Sequence, residues 1–232
     1  MLDFNALDAI ALAWFLLCWV GYTLIADRSR WSRKSMTWVM NEARRCWMLT
    51  MLRRDDPRVV DTTIMASQLS GIAFFASTSI IVVGGLFALV GAAEEATNIL
   101  ASIPLVATPS HTVLGLKLLL LITIFVYAFF KFAWSFRLLK YCSVLIGATP
   151  LASESDPQAE AFVQRIACLI GIEAVHFNQG LRAYFFALAA LGWFLHAYVF
   201  MFATAWVTVV LYRREFRSRS LACLQGQYDR PE

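Results

Sequence analysis

Residues 62–93 read TTIMASQLSGIAFFASTSIIVVGGLFALVGAA, which is 32 consecutive positions without a charged side chain. About 20 predominantly apolar residues are enough for an α-helix to cross the hydrocarbon core of a bilayer. Two further stretches, 9–26 and 183–212, also lack charges, and 96–130 is interrupted only by Lys117. The sequence therefore predicts an all-α, polytopic transmembrane helical bundle. Its four predicted spans cover residues 5–26, 62–93, 113–136 and 183–212.

The composition supports this class of protein. Of the 232 residues, 59% are hydrophobic and 16% are charged, whereas soluble domains carry roughly 25% charged residues. We expect a single membrane domain over residues 1–220, followed by a short polar tail over 221–232. Between the spans, segments 31–54 and 157–178 have apolar and basic positions at helical spacing, which predicts two amphipathic helices at the membrane interface.

The basic residues are concentrated in one connection. Residues 27–60 contain nine Arg or Lys and four acids, whereas the next connection, 92–112, has only Glu94 and Glu95 as charged residues. Connections rich in Arg and Lys stay on the cytoplasmic side. We therefore expect the N-terminus outside and the 27–60 loop in the cytoplasm. A basic segment beside a membrane favours anionic lipid headgroups as its partner, and no nucleic acid.

The C-terminal end conflicts with this topology. Four crossings place the basic residues of 213–219 outside, against the positive-inside tendency. A fifth crossing by 162–177 would return the tail to the cytoplasm, but Arg165, Glu173 and His176 make that segment a poor span. The sequence leaves four and five crossings open.

The second span has two distinctive sets of residues. Gly84, Ala88 and Ala92 recur every four positions, and small residues at this spacing let two helix backbones approach closely in a membrane. They predict a helix-packing face. The alternative is a solvated path along the second and fourth spans. Its candidate residues are Gln68, Ser70, Ser77, Thr78 and His196.

A polar cluster precedes the fourth span. Glu173, His176, Asn178 and Arg182 lie within ten residues of each other. They predict an inner-mouth site that either binds lipid phosphate or ties down the preceding helix. The spacing of Glu173 and His176 also occurs in di-iron carboxylate sites, but such a site needs a second copy of the pair.

The chain does not supply that second copy. Its other histidines, His111 and His196, have no glutamate three positions before them, and a haem ligated by two histidines would require a dimer. The five cysteines are scattered and are expected to be reduced structural thiols. The sequence thus predicts no catalytic residues, no metal and no cofactor.

Four segments resemble a catalogued family. They are 176–194 (HFNQGLRAYFFALAALGWF), 211–216 (LYRREF), 45–48 (RCWM) and 58–61 (RVVD). In these segments the chain resembles domain of unknown function family 599, over nearly its whole length. The resemblance implies a polytopic protein of a bacterial-type inner membrane. It implies no reaction and no functional residues.

Three functional hypotheses follow. The first is a non-enzymatic helical bundle that acts through homo-oligomerisation or as an accessory to a membrane complex. The alternative is a small channel or transporter, and a membrane enzyme is third. A transporter is expected to gather polar groups at mid-depth, often on broken helices. The breaks expected from sequence, at Pro104 and Gly180, lie at the ends of spans, which favours the first hypothesis.

Overall fold

The computed structural model describes residues 5–28, 34–92, 111–154 and 157–226, and every regular element in these ranges is helical. The helices are α1 (Ala6–Arg28), α2 (Met36–Leu52), α3 (Val59–Gly91), α4 (His111–Gly147), α5 (Pro157–Leu195), α6 (Ala197–Phe216) and α7 (Arg219–Leu224). A 3₁₀ turn, Ala152–Glu154, lies between α4 and α5. The connection around Glu94 and the last residues of the tail lie outside the described ranges.

Three helices are long and apolar enough to cross a membrane. They cover Ala6–Arg28, Val59–Gly91 and Thr112–Gly147. The all-helical class and the membrane character are therefore confirmed. The four-span count is not confirmed, because the last apolar run of the sequence does not form the single helix expected for it.

That run, 183–212, is broken at His196. The backbone of His196 is extended, and its side chain accepts the Tyr198 N–H as the N-cap of α6. Trp193 and Phe200 stack on either side of the break with ring centroids 5.1 Å apart. At the other end, Thr37 bonds to both Asn178 of α5 and Glu215 of α6. Residues 178–195 and α6 therefore form an antiparallel hairpin, which corrects the prediction of one span.

Two further boundaries differ from the predictions. Residues 157–178 do not form a separate interfacial helix, because α5 continues without interruption from Pro157 to Leu195. The predicted span 113–136 is the first part of α4, which extends to Gly147. At 1.5 Å per residue, the 39 residues of α5 rise about 58 Å. This is nearly twice the roughly 30 Å thickness of a hydrocarbon core.

Helix α2 lies lengthwise against the first half of α5. Thr37 contacts Asn178, and Asn41 lies beside Gly171 one to two turns further along, so the two helices are antiparallel. Met48 and Met51 are fully buried. The predicted helix over 31–54 is thus present as α2, but its expected position in the membrane plane is not confirmed.

Aromatic rings fill the core between the long helices. Phe132 of α4 stacks on Phe75 of α3 and meets Tyr184 of α5 edge-on, at centroid distances of 5.4 and 5.7 Å. Near the hairpin, Phe15 of α1 contacts Phe186 of α5 at 5.7 Å. Such pairs fix the relative rotation of helices, because offset and edge-on geometries are preferred.

Candidate functional site

A band of buried and partly buried polar groups surrounds α5 at its midpoint, where α1 ends, α2 begins and the hairpin returns. We call this band the polar belt. It consists of Asp27, Thr37, Arg44, Ser135, Glu173, Asn178, Gln179, Arg182 and Glu215. In an apolar interior, polar groups are stable only when they are paired with each other. The belt therefore determines which helix ends can meet here.

An ion pair ties α1 to α5. Arg182 Nη2 lies 2.8 Å from Asp27 Oδ1, and both side chains are largely buried. Gln179 Nε2 donates to the second oxygen of Asp27 at 2.7 Å. The guanidinium also lies over the Tyr22 ring, 5.6 Å from its centroid. Because charged hydrogen bonds are stronger in a low-dielectric interior, this group joins the two helices firmly.

A second connection joins α2, α5 and α6. Glu215 Oε1 accepts from the Thr37 backbone N–H at 3.1 Å and from its hydroxyl at 2.7 Å. Asn178 Nδ2 donates to the same Thr37 hydroxyl at 3.2 Å. A carboxylate at the N-terminus of α2 also interacts favourably with the helix dipole. The foot of the hairpin is thereby attached to the start of α2.

Glu173 lies in the interior of the same band. It is 3% exposed, and its carboxylate accepts from Ser135 Oγ of α4 at 2.5 Å. Burial raises the pKa of the Glu173 carboxyl, while the Ser135 hydrogen bond and the Arg44 charge oppose this shift. Burial likewise lowers the pKa of Arg44, against the attraction of Glu173. The pair is thus held in a desolvated site between α2, α4 and α5.

His176 is adjacent to the belt and packs edge-on against Trp134, with ring centroids 6.5 Å apart. Burial and the nearby Lys131 charge lower the pKa of His176, and Asp27 opposes the shift. Both of the effects that lower this pKa favour the neutral imidazole. Within the described ranges, no group of three His, Cys, Asp or Glu side chains is arranged to hold a metal ion.

A smaller polar group lies at the opposite end of the bundle, beside the hairpin tip. Lys117 Nζ donates to the Trp193 carbonyl at 2.8 Å, and Trp193 Nε1 donates to Asp8 Oδ1 at 2.7 Å. The Lys117 ammonium also lies 5.6 Å from the Trp193 ring centroid. Lys117, which interrupts the apolar run 96–130, thus connects α4 to the tip of the hairpin.

Arg58 caps the C-terminal end of α4. It has a positive φ of 48° at the N-cap of α3, and its guanidinium donates to the carbonyls of Ile146, Thr149 and Pro150. The Ile146 carbonyl also accepts the Thr149 N–H at 3.3 Å, and the C-terminal end of a helix attracts positive charge. Arg58 therefore holds the start of α3 against the end of α4.

Asp61, in the first turn of α3, bonds to two residues that precede Arg58 in the chain. Its carboxylate accepts two bonds of 2.8 Å from Arg54 and one of 2.7 Å from Trp47 Nε1. Trp47, Arg58 and Asp61 belong to the sequence segments 45–48 and 58–61. Those segments are therefore explained by buried polar contacts at the foot of α3.

The predicted polar path is not assembled in the described part of the chain. The hydroxyls of Ser70 and Thr78 donate to backbone carbonyls of their own helix, to Ala66 and Phe74. Ser70 and Ser77 are exposed and Gln68 is half-buried on α3, while His196 is exposed at the hairpin tip. These residues do not face a common cavity.

The predicted packing face is also exposed. Gly84, Ala88 and Ala92 are exposed on α3, and no atom lies within 4 Å of the position where Gly84 would carry a Cβ. Within the described residues, no other helix covers this face.

The sequence predicted three of the nine residues of the polar belt. Glu173, Asn178 and Arg182 were predicted as one cluster, and the structure gives each a protein partner from another helix. Asp27, the partner of Arg182, was missed, and so was Glu215, which bonds to the same threonine as Asn178. Glu215 could have been singled out by its place in the segment 211–216, one of the segments that resemble the family. For Asp27, the sequence offered only its position at the end of an apolar run.

The three long apolar helices and the buried ion pair between α1 and α5 define a class, that of helical integral membrane proteins. The chain matches the family described as "Protein of unknown function, DUF599" over residues 10–220. It belongs to this family. No match was found among curated proteins or among solved structures.

Proposed function

We propose that the protein is a non-enzymatic helical bundle of a bacterial-type inner membrane, which acts by self-association through the outward face of α3. The observation that supports this proposal is the one-sided packing of α3. This helix has 33 residues, and after Asp61 in its first turn its buried positions lie seven apart on the side that packs against α4. They are Met65, Ile72, Ser79 and Leu86.

The other side of α3 has the properties of a membrane helix interface. Gly84 and Ala88 form a shallow strip, and the large side chains of Ile81 and Phe87 are 73% and 59% exposed. Lipid tails are as apolar as these side chains, so association in a membrane depends on close packing of surfaces. A two-fold axis would place the same strip of two copies face to face and bury both at once.

The proposed topology has five crossings. The helices α1, α3 and α4 each cross, and the two arms of the hairpin cross as a pair. This arrangement places every described lysine and arginine except Lys117 at the cytoplasmic end or within about one turn of the polar belt, including Arg213 and Arg214 at the foot of the hairpin. The outward N-terminus and the cytoplasmic 27–60 loop are retained, and the conflict over the C-terminal tail disappears.

The association is tested by blocking the strip. We expect Gly84→Leu and Ala88→Leu to convert the protein from a dimer or larger oligomer to a monomer in lipid nanodiscs, measured by mass photometry or native mass spectrometry. A leucine side chain keeps the two backbones apart and removes many dispersion contacts at once.

Gly21→Leu is the matched control, because Gly21 on α1 also has no atom near its Cβ position. It should leave the mass unchanged. A monomeric unsubstituted protein, or an unchanged oligomer mass in Gly84→Leu, would overturn self-association through α3.

A further inference from the structure

An open cleft runs along the surface where α2 packs against the first half of α5. It encloses about 500 Å³, which exceeds the space that a phosphate group occupies. Asn41, Arg45 and Gln164 line one part of it, and Gly171, Ile172 and Val175 line the other. The cleft thus combines hydrogen-bond donors with an apolar wall.

The two parts of the cleft lie at different distances from the foot of the hairpin, where Thr37 bonds to Asn178. Val175 and Ile172 are within two turns of Asn178, whereas Gln164 is four turns away along α5. Because α2 is antiparallel to α5, Arg45 also lies further from this foot than Asn41. In the proposed topology, the apolar part is therefore nearer the bilayer and the polar part is nearer the cytoplasm.

The polar part favours an anion. Arg44 Nη1 donates to Asn41 Oδ1 at 2.8 Å, which commits the Asn41 oxygen and leaves its NH₂ group as a donor. Arg45 is half-exposed, and its contact with Glu42 is a long one of 3.4 Å between exposed side chains. Exposed pairs of this kind are weak, so Arg45 is able to exchange Glu42 for a ligand oxygen.

We propose that this cleft binds the headgroup of an anionic phospholipid. The phosphate lies among Arg45, Asn41 and Gln164, and the glycerol and first carbons of the acyl chain follow Gly171, Ile172 and Val175 towards the bilayer. The assignment rests on the proposed membrane placement, since that placement puts the apolar wall next to the cytoplasmic leaflet. It does not depend on self-association.

Cys168 provides a direct probe, because it lines the cleft and is exposed. A variant retains Cys168 and the exposed Cys223, with the other three cysteines replaced by serine or alanine. Labelling of both thiols by a neutral maleimide is followed in nanodiscs of phosphatidylglycerol or of phosphatidylcholine with the same acyl chains. We expect phosphatidylglycerol to slow labelling of Cys168 about fivefold relative to phosphatidylcholine, as an occupied site does at a few times its Kd. Cys223 should react equally in both.

Two arginine variants separate a defined site from general surface charge. Arg45→Gln should abolish most of the protection of Cys168, because it removes the charged donor of the cleft. Arg165→Gln removes the same charge from α5, but Arg165 is exposed and does not line the cleft. It should keep the full protection. Equal loss in both variants would show that only the surface charge matters, and would overturn the site.

Adding glycerol phosphate to phosphatidylcholine nanodiscs distinguishes a lipid from a free anion. If glycerol phosphate alone slows labelling of Cys168, the assignment to a lipid is overturned. If Cys168 reacts at the same rate in phosphatidylglycerol and in phosphatidylcholine, the preference for an anionic headgroup is overturned. The labelling rate of Cys168 is measured in the same way whether the protein is a monomer or an oligomer. Its failure is therefore distinct from failure of the proposed self-association, which is measured by mass.

Discussion

Gly180 shows how closely two long helices approach at the polar belt. A Cβ placed on it would lie 2.6 Å from the Phe132 ring of α4. We expect Gly180→Ala to lower the free energy of unfolding by about 1–3 kcal/mol, because the ring has to move within a packed core. Thermal unfolding in detergent measures the effect.

Gly71→Ala is the control for helix propensity. Gly71 is exposed on α3 with no atom near its Cβ position, so alanine there should stabilise by up to about 1 kcal/mol. Adding Phe132→Leu to Gly180→Ala should recover part of the loss. An unaffected Gly180→Ala protein would mean that α4 and α5 are further apart than the structure shows.

At the scale of single residues, the sequence indicates which groups are polar but not which groups they meet. Arg182 stands out because it follows the polar stretch at 176–180 and precedes an apolar run. Its partner Asp27 lies more than 150 positions earlier and could not be inferred, because no periodicity connects α1 to α5. Long-range ion pairs of this kind depend on the packing angle of helices, which a hydropathy pattern does not contain.

Between elements, the ion pair of Asp27 and Arg182 should act as a unit. Asp27→Asn removes the charge that balances the buried Arg182 guanidinium, and we expect a cost of about 3–5 kcal/mol. Arg182→Gln should cost a similar amount. The double variant should cost less than the sum, with a coupling energy of about 1–3 kcal/mol in a double-mutant cycle.

The exposed pair of Glu42 and Arg45 supplies the comparison. Its side chains are 45% and 52% exposed, and such pairs contribute less than about 1 kcal/mol. We therefore expect Glu42→Gln with Arg45→Gln to be nearly additive in stability. A coupling energy for Asp27 and Arg182 as small as that of the exposed pair would refute the role of the ion pair in joining α1 to α5.

The break at His196 is the element-scale feature that the sequence did not predict. Helix N-caps are usually Ser, Thr, Asp or Asn, and no proline or glycine lies at the turn itself. Gly192 is the local signal, because a Cβ there would lie 3.3 Å from the Phe200 backbone nitrogen across the hairpin. The basic residues at 213–219 were a second signal, since they were inconsistent with a single crossing.

For the whole molecule, the proposed five crossings are testable by the side on which thiols react. In a variant without native cysteines, we expect Tyr198→Cys at the hairpin tip to react with an impermeant maleimide added to intact cells. Lys34→Cys and Ser220→Cys should react only after the membrane is opened. All three positions are exposed. Labelling of Ser220→Cys from outside would contradict the return of the hairpin to the cytoplasm.

The class of the fold could be predicted from the sequence because charge-free runs are a direct consequence of a lipid environment. The length by which the long helices exceed the bilayer could not be predicted, because the exposed side of α3 near Thr62, Ser67 and Gly71 is uncharged and reads as membrane-embedded. Helix length supplies the correction. Helix α4, with 37 residues, and α5 are too long to be contained in a bilayer.

The hairpin has a consequence for the bilayer itself. The apolar part of α6, residues 197–212, rises about 24 Å, and the tight turn at His196 leaves no slack with which to lengthen it. Because Glu215 and Arg182 fasten the feet of both arms, neither arm tilts without the other. A membrane with a thicker hydrocarbon layer has to thin locally around the protein, at an elastic cost that grows with each ångström of mismatch. In the proposed five-crossing topology, the hairpin therefore has a fixed apolar length, which favours thin bilayers over thick ones.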